Sequence, residues 1–263
     1  MQRVRAVLLD IDGTLTVSWR PVPGAVQAVR ALREAGFAVA LVTNTTSRTR
    51  AWIAATLSDA GFGVAAGDIF TSPAITAAYV ASNYPGARCV VLNSGDISSD
   101  LAGVTIAADG AGPPDVVILG GAGPEFSYQA LNRVFGHLLD GARLVAMGRN
   151  LYWRTDQGLQ LDAGAFLPGL EQASGVRAEV TGKPAAAFFA TVLAALGADA
   201  SAAVMAGDDI EADVLAAQRA GLTGVLVRTG KFRPDTLENA PGAPDHVIGS
   251  VADLPALLRR PGR

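Results

Sequence analysis

The sequence predicts an α/β protein: a doubly wound parallel sheet with a second, smaller α/β domain inserted into it. Short apolar runs bounded by turn residues recur along the chain, as expected for parallel strands buried on both faces. Segments with helical periodicity alternate with these runs. Polar residues follow the runs near both ends of the chain, whereas the run ends in the middle do not resemble them, which indicates the insertion.

The composition favours a globular protein that acts on small molecules. Half of the 263 residues are hydrophobic, which excludes a disordered or fibrous chain. The net charge of −3 gives no signal for binding nucleic acid or an anionic membrane. The longest nearly apolar segment, residues 185–198, is too short to span a bilayer. Because the one cysteine, Cys89, cannot form an internal disulfide, we expect a reducing, cytoplasmic location.

The first strand is predicted over residues 4–9 and leads directly into Asp10, Asp12 and Gly13. Alternate residues of a strand point the same way, so these two carboxylates should project into one crevice and repel each other. A divalent cation between them is the usual remedy. Since open α/β sheets bind ligands at this end of their strands, we expect a metal site here.

The next elements continue a doubly wound pattern. Residues 25–35 carry one apolar face and stop at a glycine, which predicts a helix. Residues 37–42 predict a second buried strand, which ends in Thr43 and Asn44. Ser47 is predicted to cap the helix that follows.

The middle of the chain predicts a separate small α/β domain. Three strands and a helix before the last of them are predicted at residues 87–92, 115–119, 142–147 and 128–139. Features that resemble the first part of the chain resume at Val180, so this domain should be inserted rather than appended. We expect a core over residues 1–76 and 179–263, and an inserted domain over residues 77–178.

The last part of the chain supplies more polar strand ends. Lys183 lies between a short strand at Val180 and an apolar helix. A run at residues 202–206 leads into an acidic block with three aspartates. Further strands and a final helix are predicted at residues 224–228, 247–248 and 251–258.

These strand ends together form one chemical set: Asp10, Asp12, Thr43, Asn44, Lys183, Asp208, Asp209 and Asp213. A phosphate monoester needs a divalent cation, cationic and hydroxyl groups for its oxygens, and a nucleophile in line with the leaving group. One carboxylate can serve as the nucleophile, and another carboxylic acid can protonate the leaving oxygen. Hard carboxylate ligands without a His or Cys cluster indicate Mg²⁺ rather than zinc.

Four blocks carry a resemblance to a known family: residues 9–15 (LDIDGTL), 42–44 (VTN), 182–184 (GKP) and 207–213 (GDDIEAD). They resemble the four motifs of the haloacid dehalogenase (HAD) superfamily of phosphatases, and the likeness covers nearly the whole chain. It implies a HAD-like Rossmannoid core with a large α/β cap of type C2. Residues 43–46, 126–132 and 229–231 resemble the branch that contains the phospholysine phosphohistidine inorganic pyrophosphate phosphatases.

The resemblance also implies roles for the acidic residues and the lysine. Asp10 would be the nucleophile and a Mg²⁺ ligand. Asp12 would be the general acid and base, and its backbone carbonyl would also bind the metal. Lys183 would neutralise the nucleophile and the phosphate.

Thr43 and the backbone of Asn44 would hold phosphoryl oxygens, and Asp208 would complete the metal site. The fourth block fits both a paired and a spaced acidic pattern. Whether Asp209 or Asp213 supports the metal therefore stays open, with Asp208 favoured as the direct ligand.

The inserted domain is expected to act as a lid that excludes water and contacts the leaving group. Residues 149–154 follow a predicted strand and combine hydrogen-bond donors with aromatic surface. Asn150, Tyr152 and Arg154 are therefore candidate specificity residues, and an ordinary exposed turn is an equal alternative.

The leading interpretation is a Mg²⁺-dependent phosphatase for a small phosphorylated metabolite, with pyrophosphate and phosphoamide bonds as further candidates. A phospho-acceptor signalling module is an alternative, because receiver domains combine the same groups. Receiver domains are uncapped and place their acid pair before the acceptor strand, whereas Asp10 opens this chain. A third interpretation is a binding protein that has the same fold but no catalytic activity. No nucleic acid or membrane partner is expected, and a homodimer is left open.

Overall fold

The computed structural model describes residues 4–107, 112–155 and 158–259. The chain divides into two compact units. The first unit runs up to Thr43 and also contains Arg50–Phe70 and the chain from Lys183 onward. The second unit consists of Asn44–Thr49 and Thr71–Gly182.

Strands and helices alternate along most of the chain. The described strands are β1 (Ala6–Asp10), β2 (Thr16–Val17), β3 (Arg20–Pro21), β4 (Ala38–Thr43), β5 (Ile69–Thr71), β6 (Arg88–Leu92), β7 (Thr105–Ile106), β8 (Val116–Leu119), β9 (Arg143–Ala146), β10 (Tyr152–Thr155), β11 (Gly158–Leu161), β12 (Glu179–Val180), β13 (Ala203–Gly207), β14 (Thr223–Val227) and β15 (His246–Ile248). The described α-helices are α1 (Ala25–Glu34), α2 (Arg50–Asp59), α3 (Ser72–Asn83), α4 (Tyr128–Leu139), α5 (Leu167–Ser174), α6 (Ala186–Leu196), α7 (Ala216–Arg219), α8 (Pro234–Glu238) and α9 (Leu254–Arg259). None of these helices has both the length and the apolar character needed to cross a bilayer.

The first sheet places β1 at its centre, in the strand order β15-β14-β13-β1-β4-β5. The pairs on either side of β1 are parallel, and Leu9 aligns with Ala206 of β13 and Leu41 of β4. The carboxyl ends of these three strands therefore lie along one edge of the sheet. Every residue of β1 is buried, as its apolar sequence predicts.

Helix α1 shows how the sequence covers this sheet. Its buried residues recur at helical spacing, at Ala25, Ala28, Val29 and Leu32. Three of them join the main apolar cluster with residues of β1 and β4. The helix starts after Gly24, whose φ of +81° suits glycine.

The second sheet has the order β12-β9-β8-β6-β7 and belongs to the second unit. Alternate residues of β8 serve two different cores. Val116 and Ile118 pack in a cluster that also contains residues of α3, whereas Val117 and Leu119 pack in a cluster with residues of α4 and α5. This sheet is therefore covered by helices on both faces, and the fold class that the sequence predicts is confirmed.

The strand β12 pairs with β9 and so extends the second sheet, with Glu179 aligned to Val145. The hydroxyl groups of Thr76 and Thr181 lie 2.6 Å apart in the same unit. The main segment of the second unit is Thr71–Gly182, a few residues longer at each end than the predicted 77–178, and the unit also contains Asn44–Thr49. That this unit serves as a substrate cap stays a prediction.

Helix α2 begins at Arg50, so the predicted cap at Ser47 is wrong. The preceding segment, Asn44–Thr49, is non-helical, belongs to the second unit and contacts other residues of that unit. The Asn93 side-chain amide donates to the Thr46 carbonyl at 3.1 Å. The Ser47 carbonyl lies so close to Gly95 that a Cβ atom there would be 2.8 Å from it.

Candidate active site

Three buried carboxylates and one buried ammonium group meet at the carboxyl edge of the first sheet. The Lys183 ammonium donates to Asp10 Oδ1 at 2.6 Å and to Asp213 Oδ1 at 2.7 Å. One carboxylate oxygen each of Asp10, Asp208 and Asp213 lies within 4.8 Å of the others. All four residues are at most 6% exposed. The predicted edge of the sheet therefore brings together four of the predicted site residues.

Neighbouring strands deliver these side chains. Asp10 ends β1, and Asp208 directly follows β13, which pairs with β1. Asp213 lies on a π-helical turn, Ile210–Leu215, that leads into α7. A Cβ atom on Gly207 would lie 2.2 Å from Asp213 Oδ2, so glycine there allows the aspartate to fold back onto the strand end.

The cluster holds more negative than positive charge. Burial raises the pKa of Asp10 and Asp208 to about 6, although Lys183 opposes the shift at Asp10 and the Lys231 N–H opposes it at Asp208. Burial raises the pKa of Asp213 to about 7, again against the attraction of Lys183. Burial alone would lower the pKa of Lys183, but Asp10 and Asp213 outweigh it and raise that pKa.

The donor set fits a hard divalent cation. Three carboxylates face one ammonium group, so the cluster lacks positive charge, and its ligand atoms are the oxygens that Mg²⁺ prefers. Asp10 and Asp208, with Asp213 beside them, are the residues that could hold such an ion.

Asp12 lies near the cluster but in a different environment. Its side chain is exposed, whereas that of Asp10 is buried. The hydroxyl of Thr43, at the end of β4, donates to Asp12 Oδ2 at 3.4 Å. The ends of β1 and β4 therefore present an accessible carboxyl group and a hydroxyl group side by side.

Asp209 has a structural role that separates it from Asp213. Its Oδ1 accepts the backbone N–H groups of Glu211 at 3.1 Å and Ala212 at 3.0 Å, which caps the π-helical turn. Its other oxygen lies 3.5 Å from the Lys231 ammonium. Among the two alternatives from the sequence, the geometry thus brings Asp213 and not Asp209 into the carboxylate cluster.

The remaining predicted residues lie in the second unit. Asn44 Oδ1 accepts a hydrogen bond from the Ser72 hydroxyl at 3.0 Å. Tyr152 is 60% exposed. The side chain of Arg154 lies outside the described part of the chain. Asn150 and Asn44 line a cavity of about 10 Å³ together with Thr46, Gly120, Gly121, Met147, Gly148, Asp162 and Ala163.

One segment at this edge was not predicted to contact the site. The backbone N–H of Lys231 donates to Asp208 Oδ2 at 2.6 Å, and the Thr229 hydroxyl donates to the Gly13 carbonyl at 2.6 Å. The sequence did carry a signal, since residues 229–231 follow an apolar run like the other polar strand ends. The same edge contains the buried Thr14 hydroxyl, which has no hydrogen-bond partner among the described residues.

Two family models match different parts of the chain. A model of the haloacid dehalogenase-like hydrolase family matches residues 7–107, and a second model, of HAD-like hydrolases, matches residues 180–254. Together with a relative that is 36% identical over 93% of the chain, these matches confirm the family that the four sequence blocks indicate: the chain belongs to the haloacid dehalogenase-like hydrolases.

Curated relatives match nearly the whole chain. The human haloacid dehalogenase-like hydrolase domain-containing protein 2 is 36% identical and aligns with 93% of this chain and 96% of its own length. The human phospholysine phosphohistidine inorganic pyrophosphate phosphatase is 35% identical, over 97% of this chain and 94% of its own.

Solved structures agree with the fold. NagD from Escherichia coli K-12 matches with a TM-score of 0.85 and 28% identity, over 96% of this chain and 98% of its own. The p-nitrophenyl phosphatase from Archaeoglobus fulgidus matches with a TM-score of 0.89 and 25% identity, over 97% and 99% of the two chains.

Proposed function

We propose that this hydrolase is a Mg²⁺-dependent phosphatase that cleaves a small phosphorylated metabolite through an aspartyl-phosphate on Asp10. The observation that carries the proposal is the buried Lys183 ammonium held between Asp10 and Asp213, with Asp208 beside them. Two of the relatives support the reaction class, because they are named as phosphatases for phosphoamide and pyrophosphate substrates and for p-nitrophenyl phosphate.

Asp10 and Asp208 would hold the Mg²⁺ ion, together with the backbone carbonyl of Asp12, and Asp213 would support them. When bound, the ion would supply positive charge to the phosphoryl oxygens and to the carboxylates around it. Lys183 already neutralises part of that negative charge in the protein alone.

In this proposal Asp10 acts as the nucleophile. Lys183 bonds to its Oδ1, and its Oδ2 accepts no hydrogen bond from a described residue, so a lone pair is available. In the first step this carboxylate attacks phosphorus, and the bond between phosphorus and the leaving oxygen breaks. Lys183 stabilises the charge that builds up on the phosphoryl group.

In this proposal Asp12 transfers protons as the general acid and base. As a carboxylic acid it gives its proton to the leaving oxygen in the first step. As a carboxylate it then accepts a proton from water, whose oxygen attacks phosphorus and releases both phosphate and Asp10. Its exposed position lets it exchange protons with solvent. The Thr43 hydroxyl and the backbone N–H of Asn44 would donate to phosphoryl oxygens.

The proposal assigns substrate choice to the second unit, with Asn150, Tyr152 and Arg154 as candidate contacts to the leaving group. Pyrophosphate and phosphoamides are candidate substrates because of the relative that is named for them. A panel of phosphorylated metabolites that includes these compounds would identify the preferred one.

The reaction class is tested with p-nitrophenyl phosphate. We expect hydrolysis with Mg²⁺, loss of hydrolysis with a chelator, and recovery when Mg²⁺ is added back. The ester p-nitrophenyl acetate has the same leaving group without phosphorus and should not be cleaved. Phosphatase turnover that persists without any metal would contradict the assigned site.

A further inference from the structure

Two loops meet above the end of β13. The strands β14, β13 and β1 are neighbours in that order and run parallel, so the loops after β14 and β1 leave the sheet on either side of Asp208. The Thr229 hydroxyl joins these loops by donating to the Gly13 carbonyl at 2.6 Å. Asp208 therefore lies between two loops that are bonded to each other.

The two loops enclose one oxygen of Asp208. A Cβ atom on Gly13 or on Gly230 would lie 2.0 Å from Asp208 Oδ2 in either case. Both glycines also have positive φ, +91° and +59°, which other residues rarely adopt. The Lys231 N–H donates to the same oxygen at 2.6 Å. Oδ2 is thus fixed by the protein.

The other oxygen, Asp208 Oδ1, accepts no hydrogen bond from the residues that the structure describes. A carboxylate held by one oxygen has a fixed orientation and keeps the second oxygen for a ligand. Asp208 also belongs to the carboxylate cluster, so its fixed orientation bears directly on that cluster.

We propose that Gly13 and residues 229–231 form a clamp that presents Asp208 to the metal, with Thr229 and Gly230 as positioning residues. The inference rests on the proposed function, because it assumes that the cluster binds Mg²⁺. Lys231 contributes through its backbone, since its ammonium pairs with Asp209 instead.

Thr229→Val tests the clamp with the least disturbance. Valine has nearly the same shape as threonine but cannot donate a hydrogen bond to the Gly13 carbonyl. We therefore expect the variant to bind Mg²⁺ about fivefold more weakly, as measured by isothermal titration calorimetry of the protein with Mg²⁺ and no substrate. Thr229→Ser keeps the hydroxyl and should bind Mg²⁺ as the wild type does. Thr191→Val is the matched control, because it removes a similar hydrogen bond within α6, which the Thr191 hydroxyl donates to the Ala187 carbonyl at 2.8 Å.

Gly230→Ala tests the clamp more severely. The added methyl group would lie 2.0 Å from Asp208 Oδ2 and 2.4 Å from the Gly13 Cα atom and must displace both sides of the clamp. We therefore expect Mg²⁺ affinity to fall by about 10- to 100-fold. Gly36→Ala is the matched control, since Gly36 also has positive φ, +83°, but an added Cβ there meets no atom within 4 Å. Circular dichroism establishes that each variant is folded. If Gly230→Ala does not fold, the comparison of Thr229→Val with Thr229→Ser decides alone.

The outcomes separate the clamp from the proposed function. Normal Mg²⁺ binding by wild type and by Thr229→Val overturns the clamp and leaves the metal site standing. Equal losses in Thr229→Val and Thr229→Ser, or in Thr229→Val and Thr191→Val, also overturn the clamp. Wild-type protein that binds no Mg²⁺ overturns the metal site itself, and the clamp with it.

Discussion

The charge of one residue, Lys183, compensates part of the negative charge of the carboxylate cluster. Its ammonium is 3% exposed and touches two carboxylates that are also buried. A buried ion pair adds little net stability, but removal of one partner leaves uncompensated charge behind. Lys183 therefore offsets part of the cost of burying Asp10 and Asp213 as ionised carboxylates next to each other, because it opposes the rise of their pKa on burial.

Lys183→Met should remove this compensation. We expect kcat/KM for p-nitrophenyl phosphate to fall by about 10²- to 10³-fold, because the phosphoryl charge loses a preorganised donor. Steady-state kinetics with saturating Mg²⁺ measures the effect. A variant whose kcat/KM stays within threefold of the wild-type value, which corresponds to about 0.65 kcal/mol of barrier height, would exclude Lys183 as a group that stabilises the transition state.

Asp10→Asn should abolish turnover, because an amide cannot attack phosphorus to form the aspartyl-phosphate. The matched control is Asp59→Asn on the exposed end of α2, which should keep wild-type activity. Rapid acid quenching with labelled substrate should trap phosphate on wild-type protein and on Asp59→Asn, but not on Asp10→Asn. Near-normal turnover by Asp10→Asn would remove Asp10 as the nucleophile.

Among the secondary-structure elements, the π-helical turn gives different roles to Asp209, which caps it, and to Asp213, which lies on it four residues later. Asp209→Ala should lower the free energy of unfolding by about 1 kcal/mol through loss of the cap. Asp213→Asn should instead weaken Mg²⁺ binding by about 10- to 100-fold. Urea denaturation and calorimetry measure the two effects. The reverse pattern, with metal binding lost in Asp209→Ala alone, would contradict the assignment of Asp213.

Glu171 on α5 gives the second unit a dependence on pH. Burial alone would raise the pKa of Glu171, but hydrogen bonds from Arg149 and the Ala178 N–H outweigh it and lower that pKa below 4.5. The ionised form is therefore favoured in the folded state. Its stabilising contribution is present above pH 4.5 and is lost as the pH falls through the lower folded pKa.

Glu171→Gln should accordingly destabilise the protein by about 2 kcal/mol at pH 7, since it removes charged hydrogen bonds. The difference from wild type should narrow as the pH falls below 4.5. Urea denaturation across this range measures it, with Glu34→Gln at the exposed end of α1 as the control. If the difference in the free energy of unfolding between the two proteins stays constant with pH, the charge of Glu171 does not contribute to stability.

Apolar periodicity predicts those elements that bury a full face. The predicted helix at residues 128–139 coincides with α4, and the predicted strand at 115–119 matches β8 within one residue. The hairpin of β2 and β3 was missed, because two-residue strands have no readable period and the turn relies on positive φ at Ser18 and Trp19.

The site, too, could be predicted only in part. Strand ends could be predicted, and with them the meeting of Asp10, Lys183 and Asp208. The choice between Asp209 and Asp213 could not, because it depends on the pitch of the turn after β13, which is π-helical and not α-helical. Contacts from distant segments, such as the Lys231 N–H on Asp208, leave no periodic signal.

Mg²⁺ should stabilise the whole folded protein against unfolding by mass action. If the ion binds only the folded state, a concentration 100 times Kd adds about 2.7 kcal/mol to the free energy of unfolding. We expect Mg²⁺ to raise the Tm of the wild-type protein, and to raise the Tm of Asp213→Asn by a smaller amount. Equal shifts in both proteins would place the ion elsewhere. The cytoplasmic location and the homodimer stay predictions.

The central position of β1 has a consequence for biosynthesis. Its neighbour β13 begins at Ala203, so the ribosome completes β1 almost two hundred residues before that neighbour emerges. The second unit, nearly continuous over Thr71–Gly182, can fold in the meantime as a unit of its own. Until then the nascent chain carries an apolar strand with an open edge, the kind of surface that chaperones shield from aggregation.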